Sequence, residues 1–145
     1  MTNLAYTNAR LTPVDLSDYN LRLEIATARR RETNGAFQIP SHKERMNLQV
    51  GNAAQIILTG PPVDGMYAGE RVWVRVKEIY ATGCYIGELG NRMCIYPELA
   101  YKSLIGFYAE NVIDRDWFTH ERKYMLDLNM RVNVLVSPCD RHPCP

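Results

Sequence analysis

The stretch Gly69 to Ile79, GERVWVRVKEI, constrains the fold of this chain more than any other. Apolar and polar residues alternate along it, and a period of two is the signature of a strand with one buried face. Val72, Val74 and Val76 share one face, and Arg71, Trp73, Arg75 and Lys77 share the other. A helix would scatter both sets around its circumference. The valine face needs a core to sit against, so the strand belongs to a sheet of several strands. The opposite face sets an indole among three cations. That arrangement is either a stacking surface for an anionic ligand or a core tryptophan flanked by solvated charges. The reading adopted is a half-exposed Trp73 with one edge covered by the loop at 59–69.

Other short segments carry strand character: Ala53 to Leu58, Cys84 to Leu89, Arg92 to Tyr96, Leu104 to Tyr108 and Arg131 to Val136, with Glu110 to Ile113 closing the middle run. Ala81-Thr82-Gly83 and Gly90-Asn91 supply turns. The Gly- and Pro-dense TGPPVDGMYAG, 59–69, is a loop. Ahead of the strands, Pro13, Asp15 and Asp18 suit a helix start, and Leu21, Ile25 and Ala28 recur at helical spacing. Arg29, Arg30 and Arg31 fall where cations favour a helix end, and Asn34-Gly35 stops it. One amphipathic helix over roughly 14–32 follows, although Leu21-x-Leu23-x-Ile25 also alternates as a strand would. Pro40 holds Ile39 extended, and Ser41 with Glu44 forms a capping box for one short turn. Asp114 or Asp116 could cap a short helix through Tyr124. The sum is an α+β protein: a small, strongly bent antiparallel sheet or SH3-like half-barrel, preceded by an N-terminal amphipathic helix. It divides into an N-terminal segment 1–36, a β-rich domain 37–136 and a Pro- and Cys-containing tail 137–145.

Composition narrows the function classes. Of 145 residues 46% are hydrophobic, enough for one core. Seventeen Lys and Arg against 16 acidic residues leave a net charge of +1, so the chain is not a strongly basic duplex-DNA binder. Anion recognition must come from local clustering. No apolar run follows Met1 and no stretch reaches bilayer length, so the sequence reads as cytoplasmic, without membrane contact. Cys139, His142 and Cys144 in CDRHPC could ligate a metal, but no second pair completes a tetrahedral set, so neither metal nor cofactor is expected.

The residues from Phe37 to Asp114 resemble a family of small bacterial and phage domains of unknown function. The motifs are IPSHKER, LQVGN, GERVWVRV, YIGELGN and FYAENVID. Asn52 stands where the family pattern has Asp, NRMC replaces its Asn-Asp-Pro, and LAYKSLIG stands in place of a Gly-Asp. The resemblance implies a small β-rich domain without assigned chemistry, of a kind found among immunity proteins and in phage or mobile-element genomes. It favours binding or inhibition over catalysis.

The candidate ligand- or partner-binding residues are Arg71, Trp73, Arg75 and Lys77, joined by Tyr85 and Tyr96 as stacking area from neighbouring strands. No residue is assigned a catalytic role. His42, His120 and His142 lack a positioned partner, no hydrolase or phosphate-loop motif occurs, and Cys84 reads as a buried strand residue. The function read from this pattern is a non-enzymatic binding protein, phage or mobile-element encoded. It would inhibit or sequester a host defence protein or a small anionic nucleotide signal, with a nucleotide pocket best formed in a homo-oligomer. Trp73 and Trp117 would anchor a protein partner. The alternatives are a single-stranded nucleic-acid-binding domain and a small hydrolase of phosphate or glycosidic bonds.

Overall fold

A computed structural model describes Tyr6 and residues 8–116. Its elements are the strand β1 (Arg22–Leu23), helices α1 (Ala26–Glu32) and α2 (His42–Met46), and strands β2 (Ala53–Thr59), β3 (Gly69–Ala81), β4 (Cys84–Leu89), β5 (Leu104–Tyr108) and β6 (Asp114–Arg115). Strands β2 to β5 form an antiparallel meander. A 3-10 turn at Ala109–Asn111 then returns the chain so that β6 pairs with β2. β2 therefore has β3 on one edge and two short partners on the other, β6 at its start and β1 at its end. The sheet curls into a nearly closed barrel, with β5 at the end of the strand order and Val14 N–H bonded to its first residue, Leu104 O (2.8 Å). Two register shifts in the β3–β4 ladder, at Val76/Glu78 and Ile79/Ala81, bend the 13-residue β3 as bulges do.

The interior is the face read from the alternation. Val72, Val74 and Val76 are fully buried with Ile56, Leu58, Tyr85, Leu89, Ile105 and Phe107. Smaller apolar clusters cover parts of the outside. Ala26, Ile57 and Ile113 pack with Phe37 and Ile39 where α1 crosses β2. Tyr6 packs on Cys84 and Ile86, its ring so close to Gly106 that a β-carbon there would sit 2.5 Å from it.

The capping box of α2 forms as read: Glu44 N–H bonds to Ser41 Oγ (3.1 Å) and Ser41 N–H to the Glu44 carboxylate (3.2 Å). The long N-terminal helix does not form. Leu16–Tyr19 makes a 3-10 turn capped by Asp15, Asn20 takes a left-handed backbone at φ 57°, and only Ala26–Glu32 is α-helical. Leu21 and Leu23 decide this. As a strand they reach the core side by side, whereas helical residues two apart point about 200° away from each other. β1 also gains the open edge of β2, which a helix could not use.

The strand expected over Arg92 to Tyr96 is absent too, and residues 90–101 run as bends and turns. Buried Glu70 holds them, accepting from the N–H groups of Cys94 (2.8 Å) and Ile95 (3.0 Å). A side chain there replaces a strand's backbone. Asp114 lies in β6 and caps no helix. The segment through Tyr124, the strand at 131–136 and the tail lie outside the described residues. Among the described residues no helix is long and apolar enough to cross a membrane.

Candidate functional site

The outer face of β3 shows Arg71, Arg75 and Lys77 exposed, with Trp73 between the first two. Trp73 itself is only 7% exposed, so the half-exposed indole expected from the alternation is corrected: charges stay in water while the ring is sunk. The loop at 59–69 turns its tyrosine elsewhere, as shown below. Tyr85 and Tyr96 do not join the row. Tyr85 is fully buried in the barrel, on the opposite side of the sheet from the cations. Its hydroxyl donates to Arg45 O (2.8 Å) and accepts from Leu48 N–H (3.2 Å), tying α2 to the core, and burial pushes its phenol pKa up. Tyr96 lies in the 90–101 segment, 8% exposed. It accepts from Gly60 N–H (3.1 Å) and donates to Ala68 O (2.9 Å), closing the base of the 59–69 loop. A β-carbon at Gly60 would meet its ring at 2.7 Å, so the glycine makes room for it.

Trp73 sits where β3 outruns its neighbour. The β3–β4 ladder begins at the Val74–Leu89 pair. Beyond it Gly90 N–H bonds to Trp73 O (2.7 Å), and Trp73 N–H bonds to Asn91 Oδ1 (2.6 Å). The Gly90-Asn91 turn thus finishes the strand's hydrogen bonding. On the other edge Trp73 faces Gln55 of β2, and Gln55 faces Asp114 of β6. Cross-strand partners share a face, so these three form one row on the outside of the barrel. The neighbouring rows hold Ile57 beside Arg71 and Ala53 beside Arg75. Glu88 pairs with Arg75 across β4, so the row is mixed in charge at that end.

Within this patch several buried polar atoms have no partner: Gln55 Nε2, Trp73 Nε1 and Asp116 Oδ1, with Asn52 Nδ2 at the adjoining end of β2. Gln55 is 4% exposed. A buried donor left unmade costs about 1–3 kcal/mol, so such a group calls for a reason. Asn52 is otherwise well used: its Oδ1 accepts from Gln49 N–H (2.7 Å) and from Arg115 Nη2 (3.2 Å). It holds the turn into β2. Sequence reading missed Gln55 and Asp116. The signal for Gln55 was present, as one amide inside the otherwise apolar AAQIIL.

At the other end of β2 lies a contrasting polar group. The Glu24 carboxylate accepts from Arg29, from the Tyr67 hydroxyl and from Thr59 Oγ1 (3.3 Å). Burial works against the Glu24 charge, but the bonds from Tyr67, Arg29 and Thr59 outweigh it and hold its pKa below the ordinary value. Every acceptor is satisfied, so this is a brace between the loop, β1 and α1. Ile25, Val63, Met66 and Tyr67 are exposed close by.

The residues considered for catalysis stay apart. His42 is exposed on α2 and Cys84 is buried beneath Tyr6. Trp117, His120, His142, Cys139 and Cys144 lie outside the described residues. Among the described residues no group of His, Cys, Asp and Glu is arranged to hold a metal. Compared with known proteins, the chain matches no family model, no curated protein and no solved structure. In the fold IPSHKER enters α2, LQVGN turns into β2, GERVWVRV opens β3, YIGELGN is β4 with its turn, and FYAENVID runs from β5 to β6.

Proposed function

We propose that this chain is a non-enzymatic binding domain that docks an anionic partner on the outer face of β3. The observation that supports it is the spacing of Arg71, Arg75 and Lys77, exposed on one face and held in register by a buried Trp73. Guanidinium groups on a rigid strand are pre-organised for carboxylate or phosphate, and little entropy is lost on binding. The architecture is read as an SH3-like half-barrel, from the meander, the 3-10 turn and the closing strand. The resemblance of the motifs to phage and mobile-element domains makes the partner a host defence component, either an acidic protein surface or a small nucleotide signal, met in the cytoplasm.

The stacking version of nucleic-acid binding has less support. It needs open ring faces, and Trp73, Tyr85 and Tyr96 offer 7%, 0% and 8% exposure. The hydrolase reading lacks a nucleophile with a base at its side.

Native mass spectrometry of the protein purified from its own cells tests the proposal. The wild-type chain should carry a bound protein or small molecule that the R71E/R75E/K77E triple variant does not, with both melting at similar temperature. Equal loads on the two proteins, or none on either, would sink it.

A further inference from the structure

The cationic row on the outer face of β3 runs into an apolar end. Gly69 and Arg71 lie two residues apart on one strand, so they share that face. A β-carbon at Gly69 would sit 2.5 Å from the Tyr67 hydroxyl and 3.2 Å from Ile57 Cγ2. The missing side chain therefore lets Tyr67 fold back onto the sheet, next in line after Arg71. Glu24 fixes the Tyr67 hydroxyl there, yet the residue stays 60% exposed. An aromatic ring already held in place loses little further freedom when a partner covers it. Before Tyr67 the chain makes a tight hairpin. Val63 N–H bonds to Met66 O (3.0 Å) and Met66 N–H to Val63 O (2.9 Å). Asp64 and Gly65 between them have φ 52° and 75°, the left-handed pair that a two-residue hairpin turn requires. Val63 and Met66 face each other across that turn and are both exposed. An exposed apolar cluster bordered by charge marks a protein contact more often than a fold requirement.

We infer that the partner docked on this face is a protein, and that it presents an extended acidic segment ending in a hydrophobic side chain that meets Tyr67 and the hairpin. This rests on the anionic-partner reading above and names the partner within it. Arg71 and Arg75 stand about 13 Å apart along the strand, and Gly69 lies about 7 Å beyond Arg71. Trp73 between the two arginines is buried, so they border a stretch of sheet that a chain can lie along. Side chains on one face of an extended peptide repeat at the same spacing as those of a strand, so one segment can meet both guanidiniums and the ring. A mononucleotide is too short to reach all three. Glu88, opposite Arg75 on β4, weakens the attraction at that end, so the segment is held most firmly from Arg71 to Tyr67. Asp64 at the tip of the hairpin is acidic, so the tip receives an apolar group and not a carboxylate. The cations select the charge of the partner, and the ring with Val63 and Met66 supplies the anchoring contact.

Fluorescence anisotropy of labelled peptides with the full chain tests this. The probes are LFEEEEEELF, apolar at both ends so that either chain direction serves, GSEEEEEEGS and LFKKKKKKLF, with GMP as an unlabelled competitor. LFEEEEEELF should bind about tenfold more tightly than GSEEEEEEGS, LFKKKKKKLF should not bind, and GMP should not compete. Val63→Ser with Met66→Ser should bring the two glutamate peptides to the same affinity without changing the melt, because both side chains are exposed. Arg71→Gln with Arg75→Gln should weaken both glutamate peptides alike and leave their ratio intact. Equal binding of the two glutamate peptides by the wild type would overturn the apolar anchor, and displacement by GMP would overturn the protein assignment. Either result leaves the charge-docking reading standing. LFKKKKKKLF binding as tightly as LFEEEEEELF would overturn both readings. No binding by any peptide would overturn this inference, and the broader reading then survives only if the native spectra show a load that the triple variant loses.

Discussion

The two ends of β2 solve the same problem in opposite ways. At the Thr59 end, Glu24 gathers Arg29, Tyr67 and Thr59, and both carboxylate oxygens are bonded. At the Ala53 end, Gln55, Trp73 and Asp116 sit on the same outer face, and one polar atom of each is buried without a bond. The strand between them is apolar, and its inward residues Ala54, Ile56 and Leu58 are fully buried. The bonded end holds the loop and α1 in place. The other end leaves donors buried without bonds, a cost that the rest of the fold offsets.

The contrast is broken most severely by removing what both ends stand on. Ile56→Ala empties a fully buried site between them and should cost about 3 kcal/mol, read as a lower denaturation midpoint with unchanged slope. Next in size is the saturated end. Glu24→Ala strands the Tyr67 and Thr59 hydroxyls and the Arg29 guanidinium, and about 1–2 kcal/mol should be lost. The pH dependence gives an independent reading. The Glu24 carboxyl is held below its ordinary value of 4.5 in the fold. Its stabilisation is therefore complete above about pH 4.5 and is lost as pH falls through the lower folded value. The group is partly exposed, so water screens it and the effect should stay near 1 kcal/mol. Melts of the Glu24→Gln variant between pH 3 and pH 6 should show a flatter acid limb than wild type.

Much of this contrast was readable beforehand, and the limits have physical causes. The inner face of β3 follows from its period-two pattern, and the spans of β4 and β5 from short segments set off by turn residues. The capping box at Ser41 and Glu44 is a local motif and forms locally. The N-terminal helix was misread because Leu21 and Leu23 answer to β2, more than 30 residues away, and not to helical spacing. Arg92 to Tyr96 has strand-like residues, but Glu70 takes the amides of Cys94 and Ile95 first. The candidate site was half legible. The cations are where the alternation puts them, yet burial of Trp73 and the distance of Tyr85 and Tyr96 depend on the curl of the sheet. Gln55 meets Trp73 through the β2–β3 ladder, and Asp116 reaches the same face only when β6 closes on β2.

The unsaturated end sharpens the comparison by moving in the opposite direction from Glu24. Gln55→Leu replaces an unbonded amide by a side chain of similar size that needs no partner. Stability should rise by about 1 kcal/mol, or about 4 °C in thermal melts. A loss of that size would mean that Gln55 makes a bond in solution, and the difference between the two ends would vanish.

The smallest effect on stability should come from the cations. Arg71 is exposed, and its cross-strand neighbour Ile57 is covered by Ala26 and Ile113 whether or not a guanidinium lies beside it. Arg71→Gln should therefore shift stability by less than about 0.5 kcal/mol. The same change removes a charge from the strand proposed to dock an anion, so salt titration of phosphate-probe binding should lose slope as one contact disappears. A residue whose removal leaves the fold alone and changes the salt dependence acts on the partner. One whose removal changes the melt and leaves the salt slope alone acts on the barrel; the exposure of Arg71 and the packing of its neighbours on each other make the first outcome the expected one.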